Sequence, residues 1–239
     1  MGESNKIAIN LTIPEGWETL TYQEYMDVCK ILCLEYDRDT TLILCLFKLA
    51  KLKWPGKTYN PKAIAGLLPA IKDGKELFLN AATIKLACDK LSFIFDSVGL
   101  PPCPFPKMNR RLYGMPFGKY YEADSYIRRY YAQHDNAFLN HAASVLTDGR
   151  VKKLTPWQRK GLIIWWNGLT DYLMERFPDV LVSGGSVSDL NQVEMLEELL
   201  LAVNEGKPQA NKEILDSDTY SVLLTLQNKY HNAKQRSSV

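Results

Sequence analysis

The side chains in this sequence that could do chemistry are three histidines, five cysteines, a few paired carboxylates and one aromatic-basic stretch. His134 and His141 stand seven residues apart and would share a helix face if no break came between them. A zinc site needs further ligands at matching spacing, and neither these two nor His231 has them. Cys29, Cys33, Cys45, Cys88 and Cys103 are odd in number and include no C-x-x-C pair. Cys29 and Cys33 lie one helical turn apart, a spacing that suits small buried hydrophobes. Reduced thiols fit a cytosol. The pairs Glu197–Glu198 and Asp216–Asp218 fall on predicted solvated faces or caps, with nothing beside them to make a general acid and base. No G-x-S-x-G elbow, Walker A loop or dinucleotide glycine fingerprint is present. The expectation is a chain that is not an enzyme and holds no metal and no cofactor.

The aromatic-basic stretch covers residues 117–131, FGKYYEADSYIRRYY. Tyr120, Tyr121, Tyr126, Tyr130 and Tyr131 interleave with Lys119, Arg128 and Arg129, as base stacking with phosphate contacts would require. The same residues, with Phe117 and Ile127, also trace a helical face suited to a core or a subunit contact. Packing or contact is the first expectation, and nucleic-acid binding the alternative. A net charge of +2 gives no electrostatic case for a nucleic-acid or acidic partner.

The apolar fraction of 46% and charged fraction of 23% are those of a folded chain, and 239 residues can bury a sizeable core. The start MGESNKIAIN lacks a basic segment followed by an apolar run, so no secretory leader is expected. The longest apolar runs, such as residues 42–46, fall far short of a bilayer's thickness, and a soluble protein is expected.

One helix organises the elements that would position these residues. Residues 154–178 carry a start signal, an apolar stripe and a stop signal together. Thr155 and Gln158 form a capping-box pattern, with Pro156 at the first helical position. Leu162, Trp166, Leu169, Leu173 and Phe177 recur at helical spacing, and Pro178 ends the run. Ile163, Ile164 and Trp165 widen the stripe, so burial on several sides is expected.

Ahead of it, residues 7–13 alternate and read as a short strand in need of a partner. Thr21 and Glu24 cap a helix, and further helices are expected over 40–51, 61–68 and 81–98. Residues 99–106, GLPPCPFP, make a linker or a strap. Helices over 119–131 and 135–146 join the 154–178 helix in a three-helix set. Residues 183–188 read as a hinge before a C-terminal helical hairpin, which must dock on the body or on another subunit. The expected fold is mainly α, a multi-helix bundle-like body with one short N-terminal strand and a C-terminal hairpin. Three divisions are expected: 1–100, 107–182 and 187–236.

Three blocks carry a family resemblance: IPEGWETLTYQEY (13–25), MPFGKYYEADSYIRRYYAQHDNAFLNHAASVLT (115–147) and LTPWQRKGLIIWWNGLTDYLMERFPDV (154–180). They resemble helical proteins encoded in the tail-assembly region of phages and prophages of Bacteroides-type bacteria. Where that group tends to have Leu-Tyr-Arg, this chain has Leu146-Thr147-Asp148. The resemblance implies a non-enzymatic virion component or tail-assembly chaperone. It would act through contacts with other tail or connector proteins or with copies of itself, in the host cytoplasm during assembly or in the virion. Trp17, Tyr121, Tyr130 and Trp157 are the aromatic residues expected to anchor such contacts.

Overall fold

Thr21 opens the first helix with a reciprocal cap. Its hydroxyl accepts from the Glu24 amide at 3.3 Å, while the Glu24 carboxylate accepts from the Thr21 amide at 2.9 Å. The computed structural model of the chain describes residues 11–55, 67–96, 99–181, 200–201, 203 and 210–237, with the side chains of 233–237 excepted. The chain divides into two units, residues 1–98 and 99–239. The fold is mainly α, with one two-stranded antiparallel sheet among the described residues.

In the first unit, helix α1 (Tyr22–Leu32) turns Tyr25, Val28 and Cys29 inward. Asp37 caps α2 (Arg38–Leu49), which buries Leu42, Cys45, Leu46 and Leu49. Asp27, buried on α1, accepts from Lys30 at 3.0 Å and pairs with Lys48 of α2 at 3.2 Å, so the two helices share an ion pair as well as an apolar seam. Trp17 sits edge-on to Tyr25 and Phe93, with ring centroids 5.7 and 5.3 Å away.

A hairpin follows, formed by β1 (Leu67–Lys72) and β2 (Lys75–Asn80). Its turn residues Asp73 and Gly74 have φ of 50° and 77°, the pair of positive values that a two-residue hairpin turn requires. The helix expected over 61–68 is therefore corrected at Leu67 and Leu68, which are strand; residues 61–66 lie outside the described part. Asn80 caps α3 (Ala81–Lys90), which stops earlier than expected and tightens into a 3₁₀ turn over Leu91–Ile94. Three residues per turn shift the phase of the face. Phe93 is consequently buried, and Phe95 turns outward beneath the Arg38 guanidinium at 4.9 Å. Leu11, Thr12 and Ile13 are in no strand, and residues 7–10 lie outside the described part.

In the second unit, the proline-rich run is a strap: Leu100, Cys103 and Phe105 are buried. Helix α4 (Phe117–Gln133) ends at His134, whose φ of 55° breaks the helix, and Asp135 caps α5 (Asn136–Leu146). Helix α6 (Pro156–Arg176) begins with the Thr155–Gln158 capping box and buries Leu162, Trp165, Trp166, Leu169 and Leu173. A short helix Asn211–Asp216 and the C-terminal helix Thr219–Ser237 belong to the same unit. The link between them is stitched to the start of α4: Phe117 donates to the Ser217 carbonyl at 2.8 Å and Thr219 to that of Met115 at 2.9 Å. Gly118 allows the approach, since a β-carbon there would lie 3.3 Å from Leu215. The hinge at 183–188 and the first part of the hairpin, 193–199, lie outside the described residues.

Candidate functional site

The residues expected to anchor a contact fall in different settings. Trp17 is only 2% exposed, so the first unit's core uses its whole ring and it has no surface to offer a partner. Trp157 stands at the start of α6 and is 36% exposed. Tyr121 and Tyr130 are half-buried on α4, with Tyr130 against the rings of Tyr131 and His134 at 5.7 and 6.2 Å.

Most of the aromatic-basic stretch is used internally. Tyr120 is buried and stacks on Trp166 with centroids 5.7 Å apart, and burial holds its phenol far above the ordinary range. The Trp166 indole donates to Asp124 at 3.3 Å, and Asp124 also pairs with Arg128. Lys119 pairs with Asp148. Tyr131 donates its hydroxyl to Asn167 at 2.7 Å. His141 stacks on Tyr126 at 5.3 Å. Among the described residues no group of histidine, cysteine or carboxylate side chains gathers in a way that could hold a metal ion. Burial pushes the thiols of Cys45 and Cys103 up to about 12, which makes them poor nucleophiles.

A different cluster in the second unit gathers side chains from three segments. The Trp165 indole donates to the Arg110 carbonyl at 2.9 Å and pins the loop before α4 against α6. The next residues diverge because Leu112, with φ of 61°, is left-handed while its side chain is 1% exposed. That conformation is costly for a bulky residue and marks a backbone held by its surroundings. It sets Arg111 over the Tyr172 ring at 5.3 Å and brings Tyr113 to 4.6 Å from Tyr220, centroid to centroid. Arg176, one turn beyond Tyr172 on α6, lies 5.7 Å from the Tyr220 centroid, and Phe177 meets the same ring at 5.6 Å.

The cluster carries two guanidinium cations and one neighbouring carboxylate, that of Asp218. Among the described residues neither Arg111 nor Arg176 is in an ion pair. Asp218 accepts from the amides of Gly114 (2.7 Å), Tyr220 (3.0 Å) and Ser221 (3.2 Å), so its carboxylate is already engaged. The Tyr172 hydroxyl, with help from Tyr220 and Arg111, draws the exposed Tyr113 phenol below the usual range, whereas burial pushes Tyr220 up. The Arg111 Nε is shielded from water without a hydrogen-bond partner. Such groups are rare in folded chains and cost about 1–3 kcal/mol each. The sequence does not single out this cluster, because its parts lie more than a hundred residues apart and match no spacing rule.

The first unit has a cavity of about 650 Å³ lined by Glu15, Thr19, Glu24, Lys51, Lys72 and Asp73 among others. Its charges are of both signs; Glu15 pairs with Lys90, and Glu24 serves in the Thr21 cap.

No protein-family model matches the chain, and neither does any curated protein or any solved structure.

Proposed function

We propose that this chain is a non-enzymatic phage tail protein, structural or chaperoning, that works through protein–protein contacts. The sequence blocks at 13–25, 115–147 and 154–180 support the phage-tail part. The observation that supports the contact part is aromatic surface on the helices of the second unit, with Trp157 36% and Tyr131 45% exposed. Partly exposed aromatic rings are the commonest anchors of protein interfaces. Tyr121, Tyr130 and Trp157 stay in the proposal as anchors, and Trp17 leaves it. With Lys119 and Arg128 already paired to carboxylates, the 117–131 stretch is assigned to packing and contact ahead of nucleic acid.

The proposal extends to the two ends of the chain. Residues 7–13 would pair as a strand with a neighbouring subunit. Residues 187–236 would form a helical hairpin, a reading supported by Lys229 donating to the Val203 carbonyl at 3.2 Å. Light scattering behind a sizing column, followed by capture assays with tail-tube and tape-measure proteins, tests the function. A ring-sized oligomer or capture of either client is expected. A monomer that captures neither overturns it. Retention on single-stranded DNA that falls with salt would move the assignment to the aromatic-basic stretch as a nucleic-acid site.

A further inference from the structure

The geometry of the Arg111, Tyr113, Tyr172, Arg176 and Tyr220 cluster leads us to infer a binding site for the carboxylates of an acidic peptide segment on a partner protein. Two guanidinium groups converge on three adjoining tyrosine rings, and neither is in an ion pair among the described residues. Arg176 lies in the last turn of α6, where the helix dipole already favours a cation. That pole amounts to about half an elementary charge, so it offsets at most a fraction of two full positive charges.

The arrangement suits carboxylates. A guanidinium over a ring keeps a planar fork of donors that matches a carboxylate at two points. The hydroxyl of Tyr113, which is 47% exposed, adds a donor at the open edge of the cluster. The unpartnered Arg111 Nε is a further donor that an incoming acceptor would satisfy. A nucleic acid would want a broad basic field, and a chain of net charge +2 lacks one. Two discrete cations beside aromatic rings match an acidic side chain with an apolar neighbour.

The left-handed Leu112 is the independent sign that this loop has been fixed for a purpose. Its φ of 61° separates Arg111 from Tyr113 so that each reaches a different tyrosine. Backbone strain of this kind gathers at binding sites and is held there by surrounding structure. Here the Trp165 hydrogen bond to Arg110 and the Asp218 hydrogen bond from Gly114 clamp the loop on either side.

The inference rests on reading the chain as a binding protein, not on the phage-tail part of that reading. Purified full-length chain and a synthetic peptide therefore test it without any tail component. Isothermal titration at low salt uses an acetylated tetraglutamate peptide, an acetylated tetraglutamine peptide and inorganic phosphate. The expected result is heat with the glutamate peptide alone, weakening as salt is added. Arg111→Gln with Arg176→Gln should weaken binding at least about tenfold while circular dichroism stays unchanged. Arg176→Gln alone, at an exposed position, serves if the double variant fails to fold, and it too should weaken binding. Tyr113→Phe should weaken it less. Binding of phosphate in place of the peptide overturns the assignment in favour of a small free anion. Heat with neither ligand, or equal heat with the glutamine peptide, also overturns it.

Discussion

Gly168 on α6 and Pro101 in the strap meet so closely that a β-carbon on the glycine would lie 2.6 Å from the proline Cδ and 2.7 Å from the Gly99 carbonyl. The missing side chain at Gly168 lets Gly99, Leu100 and Pro101 lie against α6. Replacing a mid-helix glycine with alanine ordinarily adds about 1 kcal/mol of stability. Here the new methyl would push on backbone, and overpacking of that kind costs about 1–3 kcal/mol. Gly168→Ala should therefore lower the melting temperature. A raised melting temperature would show that the strap is not held against this helix.

The left-handed Leu112 reverses an ordinary ranking. In a helix or strand, alanine is tolerated better than glycine, but at a φ of 61° glycine avoids a penalty of about 1–3 kcal/mol. Both Leu112→Ala and Leu112→Gly lose buried contacts. The glycine variant should nevertheless be the more stable of the two by about 1 kcal/mol in urea unfolding. The opposite order would mean that the loop takes a different backbone path.

Two tryptophans assigned the same role from sequence should behave in opposite ways. Trp17→Ala removes a fully enclosed ring and should cost about 3–5 kcal/mol. Trp157→Ala, at a position 36% exposed, should change stability by less than about 1 kcal/mol while reducing capture of a partner. Thermal melts paired with the capture assay separate the two effects. A Trp157→Ala chain that melts normally and still captures its partner in full would remove Trp157 from the interface.

Asp27 gives the first unit a pH dependence with a definite sign. Burial alone would raise its carboxyl, but hydrogen bonds from Lys30, Gln23 and Lys48 outweigh that and hold it below the ordinary value. The folded value thus lies under the unfolded one, near 3.8. Its contribution is fully present above the unfolded value and is lost as pH falls through the folded one. Asp27→Asn should be destabilised at pH 7, and the gap from wild type should close below about pH 4. A constant gap from pH 7 to pH 2.5 would show that the charge is not what matters there.

The cysteines should sort by burial. With thiols near 12, Cys45 and Cys103 carry roughly one thiolate in ten thousand at pH 8, so labelling by a thiol-specific disulfide reagent should be slow in the native chain. Denaturant should bring both up to full rate. Rapid native labelling at either position, read by mass spectrometry, would contradict its burial.

What the sequence made legible was local. The Thr21–Glu24 and Thr155–Gln158 boxes each join groups three residues apart, and the 154–178 stripe repeats within one helix, so each can be read without knowing the fold. The hairpin was missed although Asp73-Gly74 is a strong turn signal, because Pro69 argues against a strand and the apolar residues before it also suit a helix. The length of α3 was overestimated because a 3₁₀ turn keeps the composition of a helix while changing its phase. A tryptophan beside a turn carries no mark of its burial, so from sequence Trp17 reads as a contact anchor although it is buried. The arginine–tyrosine cluster could not be read at all. It depends on a left-handed leucine and on an encounter between residues 113 and 220, and neither leaves a trace in any short window.

The hydrogen bond from the Thr219 hydroxyl to the Met115 carbonyl spans 104 residues of chain. During synthesis at about 5–20 residues per second, roughly 5–20 s pass between the making of its two ends. For that interval the loop bearing Arg111 and Tyr113 has been made but lacks the tyrosine it will face. In a nascent chain the residues of α4–α6 are therefore all made before the cluster can close. Any partner that depends on the cluster would pass over chains in which Tyr220 has not yet been made.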